Sequence, residues 1–259
     1  MTRYDPSRAS GIIGSKIFRY KRTTSTQDKA KEFARRGLPE GTVVIAETQT
    51  RGKGRLGRRW ISPKGGIWVS IILRPQIAPV EAPKITIVGS LAVARAIREI
   101  TGLEVRLKWP NDVLVRAVPG AEFKKVCGVL TEMVSGAGKV RYIVTGLGIN
   151  VNNRIPRSLQ DRAISLKEAM GVEIPGDRLL AKVLEEFDNR YLALRKKGII
   201  PLLNEYKDMS AVLSREVKIE CANRIIEGTA LDIDECGALI IATQNGKKRI
   251  VAGDVTILS

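Results

Sequence analysis

Residues 49–60 read Gln49-Thr50-Arg51-Gly52-Lys53-Gly54-Arg55-Leu56-Gly57-Arg58-Arg59-Trp60, three glycines interleaved with five cations. Glycine lets backbone N–H groups approach an anion closely, and the neighbouring cations neutralise it. Guanidinium groups add paired donors that match phosphate or carboxylate oxygens, and Trp60 offers a flat face to a base. The pattern fits a nucleotide-phosphate loop, an RGG-like nucleic-acid contact or a solvated basic turn. No G-K-[ST] closes it, so it is not a Walker A loop, and it is not read as a dinucleotide fingerprint.

On the upstream side, Thr24-Ser25-Thr26-Gln27-Asp28 supplies N-cap hydroxyls and an early acid. Ala30, Phe33 and Ala34 then recur at helical spacing until Gly37 and Pro39 stop the helix. The β-branched run 42–47 (TVVIAE) predicts a strand, and 67–73 (IWVSIIL) predicts another. The polar stretch between them is long for a plain connector, which marks it as a functional or a disordered loop. Downstream, Pro83 opens a helix with Ile87, Leu91, Ala94 and Ile97 on its apolar face, and Gly102 ends it. Strands follow over 105–108, 113–115, 125–134 and 140–150, the last two joined by a Gly136-Ala137-Gly138 turn. A stripe from Leu179 through Val183, Phe187 and Tyr191 to Leu194 predicts a long core helix. Beyond Ser210 short strands alternate with turns, at 216–220, 225–233, 238–242 and 250–258, and suggest a small antiparallel barrel appended to an α+β domain.

The chain has 259 residues, 44% hydrophobic and 27% charged, enough to bury a real core. No apolar run approaches the roughly 20 residues that span a bilayer, and residues 1–10 lack the apolar core of a secretory leader. Cys127, Cys221 and Cys236 form no CxxC pair, which suits a reducing, cytoplasmic setting. Histidine is absent, which excludes Ser-His-Asp and Cys-His nucleophile systems and nearly all zinc sites. The net charge of +17 favours a polyanionic partner without choosing one.

Three further segments carry polar groups suited to chemistry. Lys108-Trp109-Pro110-Asn111-Asp112 reads as a turn whose short side chains are either structural or oxygen ligands for a phosphate-bound Mg²⁺. Lys125-Val126-Cys127-Gly128 reads either as a hairpin glycine beside the exposed Lys124-Lys125 pair or as a lysine at a strand edge whose glycine permits close ligand approach over a sheet. Thr145-Gly146-Leu147-Gly148-Ile149-Asn150 puts two glycines on one strand face, leaving either a slot or a tight backbone crossing.

Taken in order, with Ser25-Thr26-Gln27 ahead of them, these segments resemble the biotin protein ligases, also called biotin–[acetyl-CoA-carboxylase] ligases. That family carries an S-T-N-type motif, a G-R-G-R-x-G-R-x-W loop, K-W-P-N-D, a K-x-x-G strand and a G-x-G-I-N strand. The resemblance spans about 15–259. It implies an α+β, class II aminoacyl-tRNA synthetase-like catalytic fold with a mixed sheet over 1–212, and an SH3-like β-barrel over 213–259.

The resemblance also implies roles. Arg55 and Lys125 are the catalytic pair. Ser25, Thr26, Gln27, Gln49, Gly52, Lys53, Gly54, Arg55, Lys125, Gly128, Gly146 and Gly148 match biotin-binding positions. Arg58, Trp60, Lys108, Asn111 and Asn150 match the ATP side, with Mg²⁺ carried by ATP rather than by protein ligands. Biotin and ATP are the implied substrates, a biotin carboxyl carrier protein the implied acceptor, and a homodimer the implied assembly. Lys53 and Gln27 depart from the usual arginine and asparagine. Only 24 residues precede Ser25, fewer than a helix-turn-helix domain needs, so specific DNA binding is not expected. Lipoate protein ligases rank behind, because their arginine-glycine motif with a following histidine is missing. A basic nucleic-acid-binding protein is the alternative from another class.

Overall fold

A computed structural model describes residues 11–221 and 224–258. The stretch 1–10, read above for a leader, lies outside the described residues, as do 222–223 and 259. Strands β1 (Lys16–Thr23), β2 (Thr42–Gln49), β3 (Ile67–Leu73), β4 (Glu104–Lys108), β5 (Asp112–Arg116), β6 (Lys124–Gly136) and β7 (Lys139–Ile149) form one mixed sheet in the order β1-β2-β3-β7-β6-β5-β4. Only β1 and β2 run parallel; the other neighbours are antiparallel.

Successive strand residues point to opposite faces, and this parity separates two cores. Val43, Ile45, Val69, Ile71, Leu73, Ile143 and Leu147 face helices α2 (Pro83–Thr101), α4 (Gly176–Lys197) and α5 (Ile200–Asp208) in the large core. Val44, Ile72, Tyr142 and Val144 face the other way, onto Ala30, Phe33 and Ala34 of α1 (Thr26–Arg35). Helix α1 covers only part of its face. Farther along the same strands, parity brings Ser70, Gly146, Gly148, Gly128 and Leu130 to an uncovered floor, where Gly128 pairs with Gly148 and Leu130 and Ser70 flank Gly146.

Local chemistry sets the boundaries. Ser25 caps α1, its Oγ accepting from the Asp28 N–H, and Gly102 ends α2 at φ 69°. Ala137 and Gly138, both at positive φ, turn β6 into β7, as the hairpin reading expected.

Beyond Ser210, strands β8 (Glu216–Cys221), β9 (Arg224–Ile233), β10 (Leu239–Thr243), β11 (Gly246–Ile250) and β12 (Asp254–Ile257) form an antiparallel sheet ordered β11-β10-β9-β8-β12. The single strand expected over 250–258 is instead two. The chain leaves one edge after Ile250 and rejoins the opposite edge at Asp254, passing Gly253, where a Cβ would stand 2.7 Å from Ile219 Cγ2. The sequence reading also omitted β1, the short helix α3 (Leu166–Met170) and α5. The small sheet is fastened to the large unit by Trp109 Nε1 donating to the Gly237 carbonyl at 2.9 Å and by the Lys207–Asp232 ion pair at 2.6 Å.

Candidate active site

The uncovered floor opens into a cavity of about 1480 Å³ between the two sheets. Small-ligand pockets are commonly roughly 300–1,000 Å³, so this one has room for two reactants together. Ser25, Thr26, Gln27, Gln49, Lys53, Gly54, Arg55, Arg58, Trp60, Lys108, Asn111, Lys125, Gly128, Gly146, Gly148 and Asn150 all line it. Gly52 does not. It packs beneath the loop, where a Cβ would meet the Trp60 carbonyl at 2.4 Å and Ser62 Oγ at 2.5 Å, so its place is to let the loop fold back on itself.

The inner end is a buried polar network. Gln49 Oε1 accepts from the Thr26 N–H (2.8 Å) and hydroxyl (3.1 Å), and Gln49 Nε2 donates to Ser62 Oγ. Gln27 reaches across the floor, its Nε2 donating to the Val144 carbonyl at 2.9 Å. A Cβ on Gly146 would stand 2.7 Å from Gln27 Oε1. The absent side chain at Gly146 leaves the room in which the Gln27 amide lies close over the strand.

The basic loop has a defined shape. Gly54 N–H donates to the Arg58 carbonyl and Trp60 N–H to the Gly52 carbonyl, so it returns as a hairpin whose tip is a 3₁₀ turn over Arg55–Gly57. Leu56 sits there at φ 55°, its side chain in solvent. Gly52, Gly54 and Gly57 have G-x-G-x-x-G spacing, yet no helix opens behind them, so the dinucleotide context is missing. The lining cations Lys53, Arg55 and Arg58 are tied down. Lys53 pairs with Asp28. Arg55 donates to Asn111 Oδ1 (3.1 Å) and the Gly253 carbonyl (3.2 Å), and Arg58 pairs with Asp254. A solvated turn would not bury Arg55 to 20% side-chain exposure.

Trp60 lies down on the glycine floor: Cβ atoms on Gly148 and Gly128 would meet its ring at 2.6 and 3.0 Å. Lys125 Nζ stands 5.1 Å from the ring centroid, within cation–π range, and 2.6 Å from Asp112 Oδ1. Consecutive residues, Asn111 in the β4–β5 turn and Asp112 at the start of β5, thus steady Arg55 and Lys125. Burial lowers the Lys108 pKa from the usual lysine value; Asp112 opposes that shift and Lys125 adds to it. Burial also pushes the Cys127 thiol up, so that cysteine is no nucleophile at neutral pH. Asn150 is buried at the outer wall, its Oδ1 accepting from Asn153 Nδ2.

Sequence reading missed Ser70, Ser62, Asp28 and Asp254 as participants. Ser70 carried a signal: it is the one polar residue in IWVSIIL. Asp254 carried none, because its contact with Arg58 joins residues 196 apart.

The sequence profile of the biotin/lipoate A/B protein ligase family matches residues 20–150, and that of the biotin protein ligase C-terminal domain matches 212–258. The chain is 35% identical over 250 residues to the bifunctional ligase/repressor BirA of Bacillus subtilis, spanning 95% of this chain and 75% of that one. It is 28% identical over 240 residues to the biotin–[acetyl-CoA-carboxylase] ligase of Paracoccus denitrificans, covering 90% and 97%. A biotin protein ligase from Aquifex aeolicus, solved with biotin and ATP, matches at a TM-score of 0.79 and 32% identity, covering 94% of this chain and 99% of that one. Motifs, sheet parity, cavity and these likenesses agree: the chain belongs to the biotin/lipoate A/B protein ligase family.

Proposed function

We propose that the chain is an ATP-dependent biotin protein ligase, acting in two steps. A biotin carboxylate oxygen attacks the α-phosphorus of ATP, the bond to pyrophosphate breaks, and biotinyl-5′-AMP remains. An acceptor lysine amine, having lost its proton, then attacks the acyl carbon and expels AMP. The observation that carries this reading is the glycine-floored slot with Arg55 and Lys125 beside it. Bringing a carboxylate to a polyphosphate is opposed by charge repulsion, and two preorganised cations offset it; removing one such contact commonly costs ~10²–10³-fold in rate.

In this reading Ser25, Thr26 and Gln27 hold the ureido ring, with Gln49 fixing Thr26. Lys53 and Gly54 cover the bound biotin, while Arg58, Lys108, Asn111, Asn150 and Trp60 serve the nucleotide. Mg²⁺ enters this reading with ATP, on its phosphates. The acceptor is a biotin carboxyl carrier domain. The resemblance supports a homodimer through a free edge of the seven-stranded sheet, which sedimentation would test. Three free cysteines support the reducing cytoplasmic setting, and no helix among the described residues is long and apolar enough to cross a membrane. A division into units at 212/213 is supported by the two separate sheets.

The deciding experiment incubates the protein with biotin, ATP and Mg²⁺ and seeks biotinyl-adenylate by mass spectrometry. Absence of adenylate, with no calorimetric heat from biotin at any nucleotide concentration, would overturn the reading.

A further inference from the structure

Three asparagines follow β7 in Asn150-Val151-Asn152-Asn153. Asn152 is tied to Ile174 at both ends of its amide, donating to the carbonyl at 2.8 Å and accepting from the N–H at 2.9 Å. Asn150 and Asn153 are buried, yet both line the cavity. The backbone orients the Asn153 amide. Val151 N–H, a group that only donates, lies 3.0 Å from Asn153 Oδ1, which leaves Nδ2 on the other side. That nitrogen donates to Asn150 at 3.1 Å, and the atom receiving it is Oδ1, because an amide nitrogen accepts nothing. Asn150 Nδ2 is thereby turned the other way. It has no partner among the described residues and is not sealed from the cavity. The segment has little freedom to swivel. Asn150 N–H donates to the Val126 carbonyl at 2.8 Å and Asn152 N–H to the Gly65 carbonyl at 2.7 Å. A Cβ on Gly65 would stand 3.0 Å from Asn153 N.

We propose that Asn153 is a positioning residue: it fixes the Asn150 amide with its nitrogen toward the cavity, so that this wall offers a donor to an acceptor atom of the bound nucleotide. The inference rests on the ligase reading above, in which Asn150 serves the nucleotide. The two ends of a primary amide are nearly equal in size and opposite in hydrogen-bonding sense. Without Asn153 nothing distinguishes them, and the amide exchanges between offering a donor and offering an oxygen. Among the described residues the Asn153 side chain bonds only Val151 N–H and Asn150. It does not touch Arg55, Lys125 or the Gln27–Gln49 end of the slot, so its influence falls on nucleotide affinity rather than on biotin or the reacting carboxylate.

The test is a double-mutant cycle of Asn153→Ala, Asn150→Ala and the pair together. It reads ATP KM and kcat from biotin-dependent pyrophosphate release, and biotin affinity from calorimetry. Asn153→Ala should raise ATP KM roughly 3–10-fold, the scale of one net buried hydrogen bond, with kcat and biotin affinity nearly unchanged. In the Asn150→Ala background the same change should add nothing, because the group it positions is gone. Asn153→Ser, whose hydroxyl accepts and donates at once, should fall between wild type and alanine. Additive rises in KM, which a direct nucleotide contact or a general packing loss would give, overturn the proposal. So does an Asn153→Ala variant with wild-type ATP KM, or one that loses biotin affinity as much as ATP affinity. If Asn153→Ala does not fold, the cycle is run with Asn153→Ser, and additivity there overturns it as well. A folded wild type that releases no pyrophosphate with biotin and ATP would instead sink the ligase reading itself.

Discussion

The ammonium of Lys125 stands 2.6 Å from the carboxylate of Asp112, which fixes the charge beside the glycine floor while leaving the Trp60 side of the slot open to it. Lys125→Ala should therefore lower adenylate formation by at least ~10²–10³-fold with little change in thermal stability. Pyrophosphate exchange checks this, and a wild-type rate would remove Lys125 from the chemistry.

Arg55 joins the loop tip to Asn111 and to the Gly253 carbonyl. Arg55→Gly cuts both ties and should let biotinyl-adenylate escape before transfer. Per adenylate formed, labelling of bystander lysines on an unrelated protein should rise by about tenfold or more, the equivalent of ~1.4 kcal/mol in retention. Peptide mass spectrometry reads the outcome, and unchanged acceptor selectivity would contradict it.

Gly148 pairs with Trp68 on one side and Gly128 on the other, so its backbone has nowhere to retreat. A Cβ there would press on the Trp60 indole at 2.6 Å. Overpacking of this kind costs about 1–3 kcal/mol. Because the indole belongs to a loop, Gly148→Ala should weaken biotin binding roughly 10–100-fold while changing Tm little. Titration calorimetry with biotin decides it.

Glu205 tests the scaffold. Burial raises its pKa, but the guanidiniums of Arg95 and Arg190, both bonded to Oε1, outweigh burial and hold it below the usual carboxylate value. With the folded value depressed, the stabilisation is complete above the unfolded pKa and disappears as pH falls through the folded one. Glu205→Gln should be less stable than wild type at pH 7 and converge with it in acid. Denaturant midpoints across that range provide the check, and a pH-independent gap would refute it.

Much of the fold was legible because local rules and tertiary demands agree. Gly102 both breaks helical periodicity and ends α2, and 67–73 is apolar except at Ser70 because β3 is buried on both faces. The omissions have physical causes. Strand β1 has four cations in eight residues, an edge-strand composition with little β signal. The break between β11 and β12 depends on Gly253 crossing over Ile219, a contact no local pattern encodes. The site was legible as five motifs, and parity explains why Gly128, Gly146 and Gly148 share one floor. Gly52 was read as a contact because motif spacing does not distinguish a glycine that meets a ligand from one that lets a loop close.

The mooring of Arg55 on the Gly253 carbonyl, 198 positions downstream, has a consequence for biosynthesis. A ribosome that has delivered the whole seven-stranded sheet has still not delivered the pier to which the basic loop ties up. Catalytic competence should therefore arrive late and abruptly during translation, once β12 has emerged and docked, rather than growing with chain length.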